Sequence, residues 1–174
     1  MISITRATEK DFESIVNIGN ISVEEAHRDS CSAKDMKEYL EKNYNDNAIK
    51  EELNNSKYLY HTLNYNGKQV GFSKIVLNSG YPNIVQQNVT KLDRIYLLKE
   101  FQELKLGFEL LKFNIELAKK NNQSGIWLFT WIGNVKAVKF YLKAGFEIIG
   151  STMFKVSETH SNESYQMFLD LSEN

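Results

Sequence analysis

"LDRIYLLKEFQELKLG" (Leu92–Gly107) passes from a strand pattern to a helix pattern, and its reading decides the fold. Its first half alternates, with Leu92, Arg94 and Tyr96 on one face and Asp93, Ile95 and Leu97 on the other. From Leu104, apolar residues recur at 104, 108, 111, 115 and 118, which predicts a helix from that point. Lys105–Glu109 and Glu116–Lys120 are expected as charge pairs on its wet side. The turn between strand and helix offers main-chain N–H groups at a helix N-terminus, a setting that favours anions. Turns that cradle phosphates in this way are rich in glycine, yet here Gly107 is the only glycine.

Working towards the N-terminus, "KYLYHTLNY" and "KQVGFSKIVL" are β-type runs joined by Asn66-Gly67, a strong hairpin signal. "NSGYPN" is a loop. The first residues, "MISITRAT", form a short edge strand. Thr8 with Asp11 resembles a capping box opening a helix to about His27; Ser32 with Asp35 repeats the signal, and a third short helix follows Asp46. Towards the C-terminus, "SGIWLFTWI" has the apolar content of a central strand buried on both faces. Asn134 can cap a helix that Gly145 stops, and two antiparallel strands close the chain. The order β, helices, ββ, β, α, β, α, ββ predicts one α/β domain over residues 1–174 around a single twisted sheet.

Composition narrows the function. With 42% hydrophobic and 25% charged residues and a net charge of -1, the chain reads as an ordinary globular protein, not a general nucleic-acid binder. No apolar run reaches the ~18 residues of a membrane span, and a signal peptide's apolar core is not evident, so a cytoplasmic protein is expected. The single cysteine, Cys31, excludes an internal disulfide and reads as a small helix-flanking residue. His27, His61 and His160 are isolated, so no metal is expected. Residues 1–60 hold 8 basic against 12 acidic side chains, and residues 61–174 hold 13 against 10. That asymmetry suits two solvated surfaces, or a cationic substrate on one side and an anionic cofactor on the other. Dinucleotide-binding, P-loop and G-x-S-x-G signatures are all absent.

After one more helix and strand comes "NVKAVKFYLKAGFEIIG" from Asn134. Together with Leu92–Gly107 it resembles the core of the Gcn5-related N-acetyltransferase family, and the resemblance covers residues 92–150. The family pattern N-x-x-A-x-x-[FL]-Y-x-x-x-G-F is met by Asn134, Ala137, Phe140, Tyr141, Gly145 and Phe146. "WLFTWIGN" and "MKEYLEKNYN" look most like the bacterial PaiA-type polyamine acetyltransferases.

The resemblance implies a mixed, mostly antiparallel sheet of about seven strands with helices on both faces, and acetyl-CoA as cosubstrate. The pantetheine arm would lie along Ile95, Tyr96 and Leu97, beside a splay between this strand and "GIWLFTW". A backbone N–H near Tyr96–Leu97 would polarise the thioester carbonyl, and the pyrophosphate would meet Gln102, Glu103, Leu104, Lys105, Leu106 and Gly107. Asn134 would bond the pantetheine region, although it could be only an N-cap. Tyr141 would protonate the leaving thiolate, although it could be only a core aromatic. Lys105 departs from the family by standing where a glycine is usual; lysine would be tolerated there in an αR conformation. Glu25, His27, Asp93 and Trp131 are the expected acceptor contacts. The expected function is transfer to a small primary amine, a polyamine favoured, by a monomer or homodimer. The rival reading is a weak or inactive acyl-CoA-binding regulatory module.

Overall fold

A computed structural model describes residues 1–172. In chain order the elements are β1 Ile2–Arg6, α1 Phe12–His27, α2 Ala33–Asn43, α3 Asp46–Asn54, β2 Leu59–Tyr65, β3 Lys68–Val76, β4 Val89–Leu97, α4 Leu106–Lys120, β5 Gly125–Trp131, α5 Val135–Lys143, β6 Glu147–Lys155 and β7 Ser161–Asp170. The seven strands make one sheet in the order β1-β2-β3-β4-β5-β7-β6. Among the described residues only β4 and β5 pair in parallel; every other neighbour pair is antiparallel.

Local chemistry accounts for most boundaries. Asn66 and Gly67 both take positive φ, 48° and 82°, as the expected two-residue hairpin turn requires. The Thr8 N–H donates to Asp11 Oδ2 at 2.8 Å, but the capping box opens a 3-10 turn, Glu9–Asp11, and α1 begins only at Phe12. Ser32 caps α2 by accepting from the Asp35 N–H at 3.0 Å. The sheet is covered on both faces. Phe72 and Tyr96 pack under α1 to α3 with Ile15, Ile18, Tyr44 and Ile49, whereas Ile75, Leu92 and Ile126 meet Leu111 of α4 and Tyr141 of α5.

Two expectations need correction. The helix does not start at Leu104: a 3-10 turn, Lys99–Leu104, ends at Lys105, whose left-handed backbone (φ 59°, ψ 14°) resets the helix phase. The buried face of α4 is therefore Leu106, Leu110, Leu111, Asn114 and Ala118, while Leu104 and Phe108 are exposed. Glu116 pairs with Lys119, not Lys120.

Strict alternation also fails in β4. Lys74 faces Arg94 and Ile75 faces Leu92, so Asp93 is the extra residue of a bulge. Leu92 packs towards α4, while Asp93 and Arg94 both turn to the α1–α3 face, where they meet Lys74 and Glu52.

Candidate active site

β4 and β5 pair only from Val89–Gly125 to Lys91–Trp127. Beyond that rung β4 continues to Leu97 beside β3, and β5 continues to Trp131 beside β7, so a gap opens between them. The expected burial of β5 on both faces therefore holds for Gly125–Leu128 only; Phe129, Thr130 and Trp131 are half-buried along the opening. The gap belongs to a cleft of about 540 Å³ that reaches from Asn134, Ala137 and Tyr141 to Val23 and His27 of α1 and Tyr39 of α2.

The main chain of β4 presents unpaired groups to this gap. The Leu98 N–H donates to the Val70 carbonyl at 2.9 Å. Main-chain groups alternate in direction along a strand, so the Leu97 and Ile95 N–H groups point away from β3, towards the gap. Of the two residues expected to polarise a carbonyl, Leu97 is the one whose N–H has this direction. Tyr96 instead packs its ring against Phe72 and Tyr44, with centroids 5.8 and 6.4 Å away.

At the end of β4 the turn is tied down on both sides. Gln102 donates from Nε2 to the Leu97 carbonyl at 3.2 Å and accepts from Lys136 Nζ of α5 at 2.6 Å. Among the described residues no side chain caps α4, which leaves the Leu106 and Gly107 N–H groups as orphan donors of a helix N-terminus. Leu106 buries its side chain in the core and can offer only this main-chain group. Glu103, Leu104 and Lys105 are exposed. A Cβ at Gly107 would meet only Leu97 and Phe140 at about 3.9–4.0 Å, so neighbouring side chains do not require a glycine there. Its bare backbone leaves room above the donors. Lys105 occupies the left-handed conformation that glycine adopts without cost, and the expected αR conformation is not observed.

Asn134 performs its capping role: Oδ1 accepts from the Ala137 N–H at 3.1 Å, which leaves the amide Nδ2 for other bonds. Tyr141 is buried, lines the cleft, and packs against Phe140 and Phe146. Burial raises its pKa well above that of a free phenol, so the hydroxyl holds its proton.

The expected acceptor contacts divide. His27 and Trp131 both line the cleft, with ring centroids 5.9 Å apart, and burial lowers the pKa of His27. Asp93 lines it too, but burial, which would raise its pKa, is outweighed by Lys74 and Lys91, and the carboxyl is held at about 2. With Oδ2 on Lys74 at 2.9 Å and Oδ1 on Lys91 at 2.9 Å, it is an ion-pair partner and not a base. Glu25 is exposed and is not brought to the cleft. Val23 and His27, four residues apart, share the cleft face of α1; Glu25 sits halfway between them and turns outward.

Sequence reading missed the ion cluster behind this cleft, in which Asp93 and Arg94 line the cleft and Lys74, Glu52 and Tyr60 lie beneath them. Lys74 Nζ lies 3.1 Å from Glu52 Oε2, and Arg94 Nη1 lies 3.0 Å from the same oxygen and 2.7 Å from Tyr60 Oη. The guanidinium carbon of Arg94 stacks 4.7 Å from the Tyr44 ring. One signal was available: Lys74 is the one charged residue in the run "VGFSKIVL" and is only 4% exposed.

A parallel pair that splays, open β4 donors and a capped Asn-to-Tyr helix define an acyl-transfer architecture. The model of the GNAT acetyltransferase family matches residues 14–146, and the chain belongs to that family of acetyl-CoA-dependent enzymes. An uncharacterized N-acetyltransferase from the pepI 3′ region of Lactobacillus delbrueckii subsp. lactis is 25% identical, over 93% of this chain and 94% of its own. Among solved structures, PaiA N-acetyltransferase from Thermoplasma acidophilum, in complex with coenzyme A, aligns with a TM-score of 0.79. It is 19% identical and the alignment covers 98% of this chain and 99% of that one. A GCN5-related N-acetyltransferase from Rhodopseudomonas palustris gives 0.77 at 15% identity, over 97% and 95% of the two chains.

Proposed function

We propose that the chain transfers an acetyl group from acetyl-CoA directly to a small primary amine, with no covalent enzyme intermediate. The observation that carries this reading is the open edge of β4 beyond Lys91, where Ile95 lines the same cleft as Tyr141 and Asn134 and the Leu97 N–H follows along the same edge. The pantetheine amides can pair with that edge as an added strand would. The pyrophosphate is assigned to the Leu106 and Gly107 N–H groups, with Gln102 holding the turn in place.

In the transfer, the amine nitrogen forms a bond to the thioester carbonyl carbon and the C–S bond breaks. The Leu97 N–H is the donor for the carbonyl oxygen as it gains charge. The departing thiolate takes the Tyr141 hydroxyl proton, which burial keeps available. The proton lost by the attacking nitrogen goes to His27. Of the titratable groups in the cleft, Asp93 is locked between two lysines, Glu158 pairs with Lys155, and Glu38 pairs with Lys34. Burial keeps His27 neutral near pH 7 and able to accept.

The resemblance to PaiA-type enzymes favours a polyamine, and the acidic surplus of residues 1–60 is compatible with one. Among the described residues, Glu38 is the one carboxylate of that segment along the cleft, so the surplus does not converge on the acceptor. The reading therefore rests at the level of a small primary amine.

The test is amine-dependent release of thiol from acetyl-CoA. Tyr141→Phe lowers kcat by about 100-fold or more, the scale of a general-acid contribution, and leaves acetyl-CoA affinity within about twofold. His27→Gln removes the fall in kcat/KM that the wild type has below pH 6.5, because protonated imidazole cannot act as a base. An equal loss of affinity and turnover in Tyr141→Phe removes its acid role. An acid limb unchanged in His27→Gln removes His27 as the base.

A further inference from the structure

The cleft wall and the layer beneath it hold an unequal number of charges. Lys74, Lys91 and Arg94 share two carboxylates, Glu52 and Asp93, through four short ion pairs. Lys74 and Arg94 are 4% and 11% exposed at their side chains and Lys91 is 30% exposed, so the surplus charge extends from a poorly solvated interior to the cleft wall. An uncompensated buried charge is costly and is expected to have a partner. Among the described residues the rim supplies no free carboxylate: Glu158 pairs with Lys155 and Glu38 with Lys34, while Lys42 adds a further cation there. Lys91, Asp93 and Arg94 all line the cleft, so the surplus is within reach of a bound acceptor.

Arg94 is the best placed of the three. Nη1 is committed to Glu52 and Tyr60, whereas Nε and Nη2 have no hydrogen-bond partner among the described residues. A guanidinium edge with free donors matches the two oxygens of a carboxylate. The walls beside it are aromatic: Tyr39, Tyr44, Phe129, Trp131 and Phe154. Such a surface accommodates an apolar body attached to the same molecule.

We infer that the acceptor is an amine that also carries a carboxylate, an amino acid with an apolar side chain, whose carboxylate is received by the surplus positive charge at Arg94. This rests on the acetyltransfer reading above and specifies its second substrate. A polycation would add positive charge to a site already in excess, so spermidine should be a poor acceptor.

The experiment compares thiol release from acetyl-CoA with matched pairs: phenylalanine against 2-phenylethylamine, leucine against 3-methylbutylamine, and spermidine as the polycation. The carboxylated member of at least one pair should have the higher kcat/KM by about tenfold or more, the scale of one charge-assisted hydrogen bond. Arg94→Gln should bring that ratio close to one through a rise in KM for the amino acid. Lys91→Gln, at a more exposed position, lowers the same ratio and serves if Arg94→Gln does not fold. A plain amine or spermidine that equals or exceeds every amino acid overturns this inference and leaves the acetyltransferase reading standing. A carboxylate preference unchanged in the folded variant also overturns it. Thiol release with no amine at all overturns both.

Discussion

Lys105 is the residue at which chain conformation and chemistry conflict most directly. At φ 59° it holds a left-handed backbone, which costs an ordinary residue roughly 1–2 kcal/mol and glycine little. The turn thus keeps the geometry a glycine would adopt while presenting an ammonium beside the helix N-terminus. Lys105→Gly should relieve the strain and raise stability by about 1 kcal/mol, a Tm increase of about 2–4 °C for a domain this size. Lys105→Ala retains the strain and removes the charge. By calorimetry it should weaken acetyl-CoA binding about two- to fivefold, the size of a single charge acting near a helix end. Unchanged affinity would remove Lys105 from the phosphate site. The strand-to-helix turn around Gln102 and Gly107 was legible in the sequence because it is a local change of pattern. The left-handed torsion was not, because nothing in a lysine signals it.

Elements were legible where one periodicity governed them and misread where an irregular residue shifted it. The spacing Asn134 to Phe146 works because cap, apolar face and C-terminal stop all lie within one helix. In α4 the break at Lys105 moved the buried stripe from 104 and 108 to 106 and 110. In β4 the bulge at Asp93 set two consecutive charged side chains on one face, and alternation could not anticipate that. The cluster they join was illegible for a further reason: Glu52 and Arg94 lie 42 positions apart and meet only through the sheet. The α4 register is open to measurement. Leu110→Ala, at a fully buried position, should cost about 2–4 kcal/mol in urea unfolding. Leu104→Ala and Phe108→Ala should each stay within about 0.5 kcal/mol, as exposed substitutions do. The opposite ranking would restore the stripe that the sequence pattern alone suggests.

For the molecule as a whole, pH acts on stability through groups far from the cleft as well as within it. His61 is buried on β2 against the Phe113 ring, 4.8 Å between centroids, and its Nδ1 has no hydrogen-bond partner among the described residues. Burial, with Arg6 adding repulsion, lowers its pKa to about 4. The unfolded chain, with histidine near 6.5, then binds more protons than the folded one between about pH 4 and 6.5. Stability must rise with pH across that window and level off above it; at pH 5 the deficit from His61 alone is roughly 2 kcal/mol. Asp93 acts in a separate window, because its folded pKa near 2 lies below the ordinary 3.8. Its contribution is complete above about pH 4 and is lost as pH falls towards 2. Thermal unfolding from pH 7.5 to 5 should therefore show a decline governed by histidine, with carboxylates contributing little. His61→Phe keeps an aromatic ring against Phe113 and removes the titration, so it should flatten most of that decline while leaving amine-dependent thiol release at pH 7.5 within about twofold. A decline of unchanged size in His61→Phe would transfer the effect to His27, and with it link acid stability to the cleft itself.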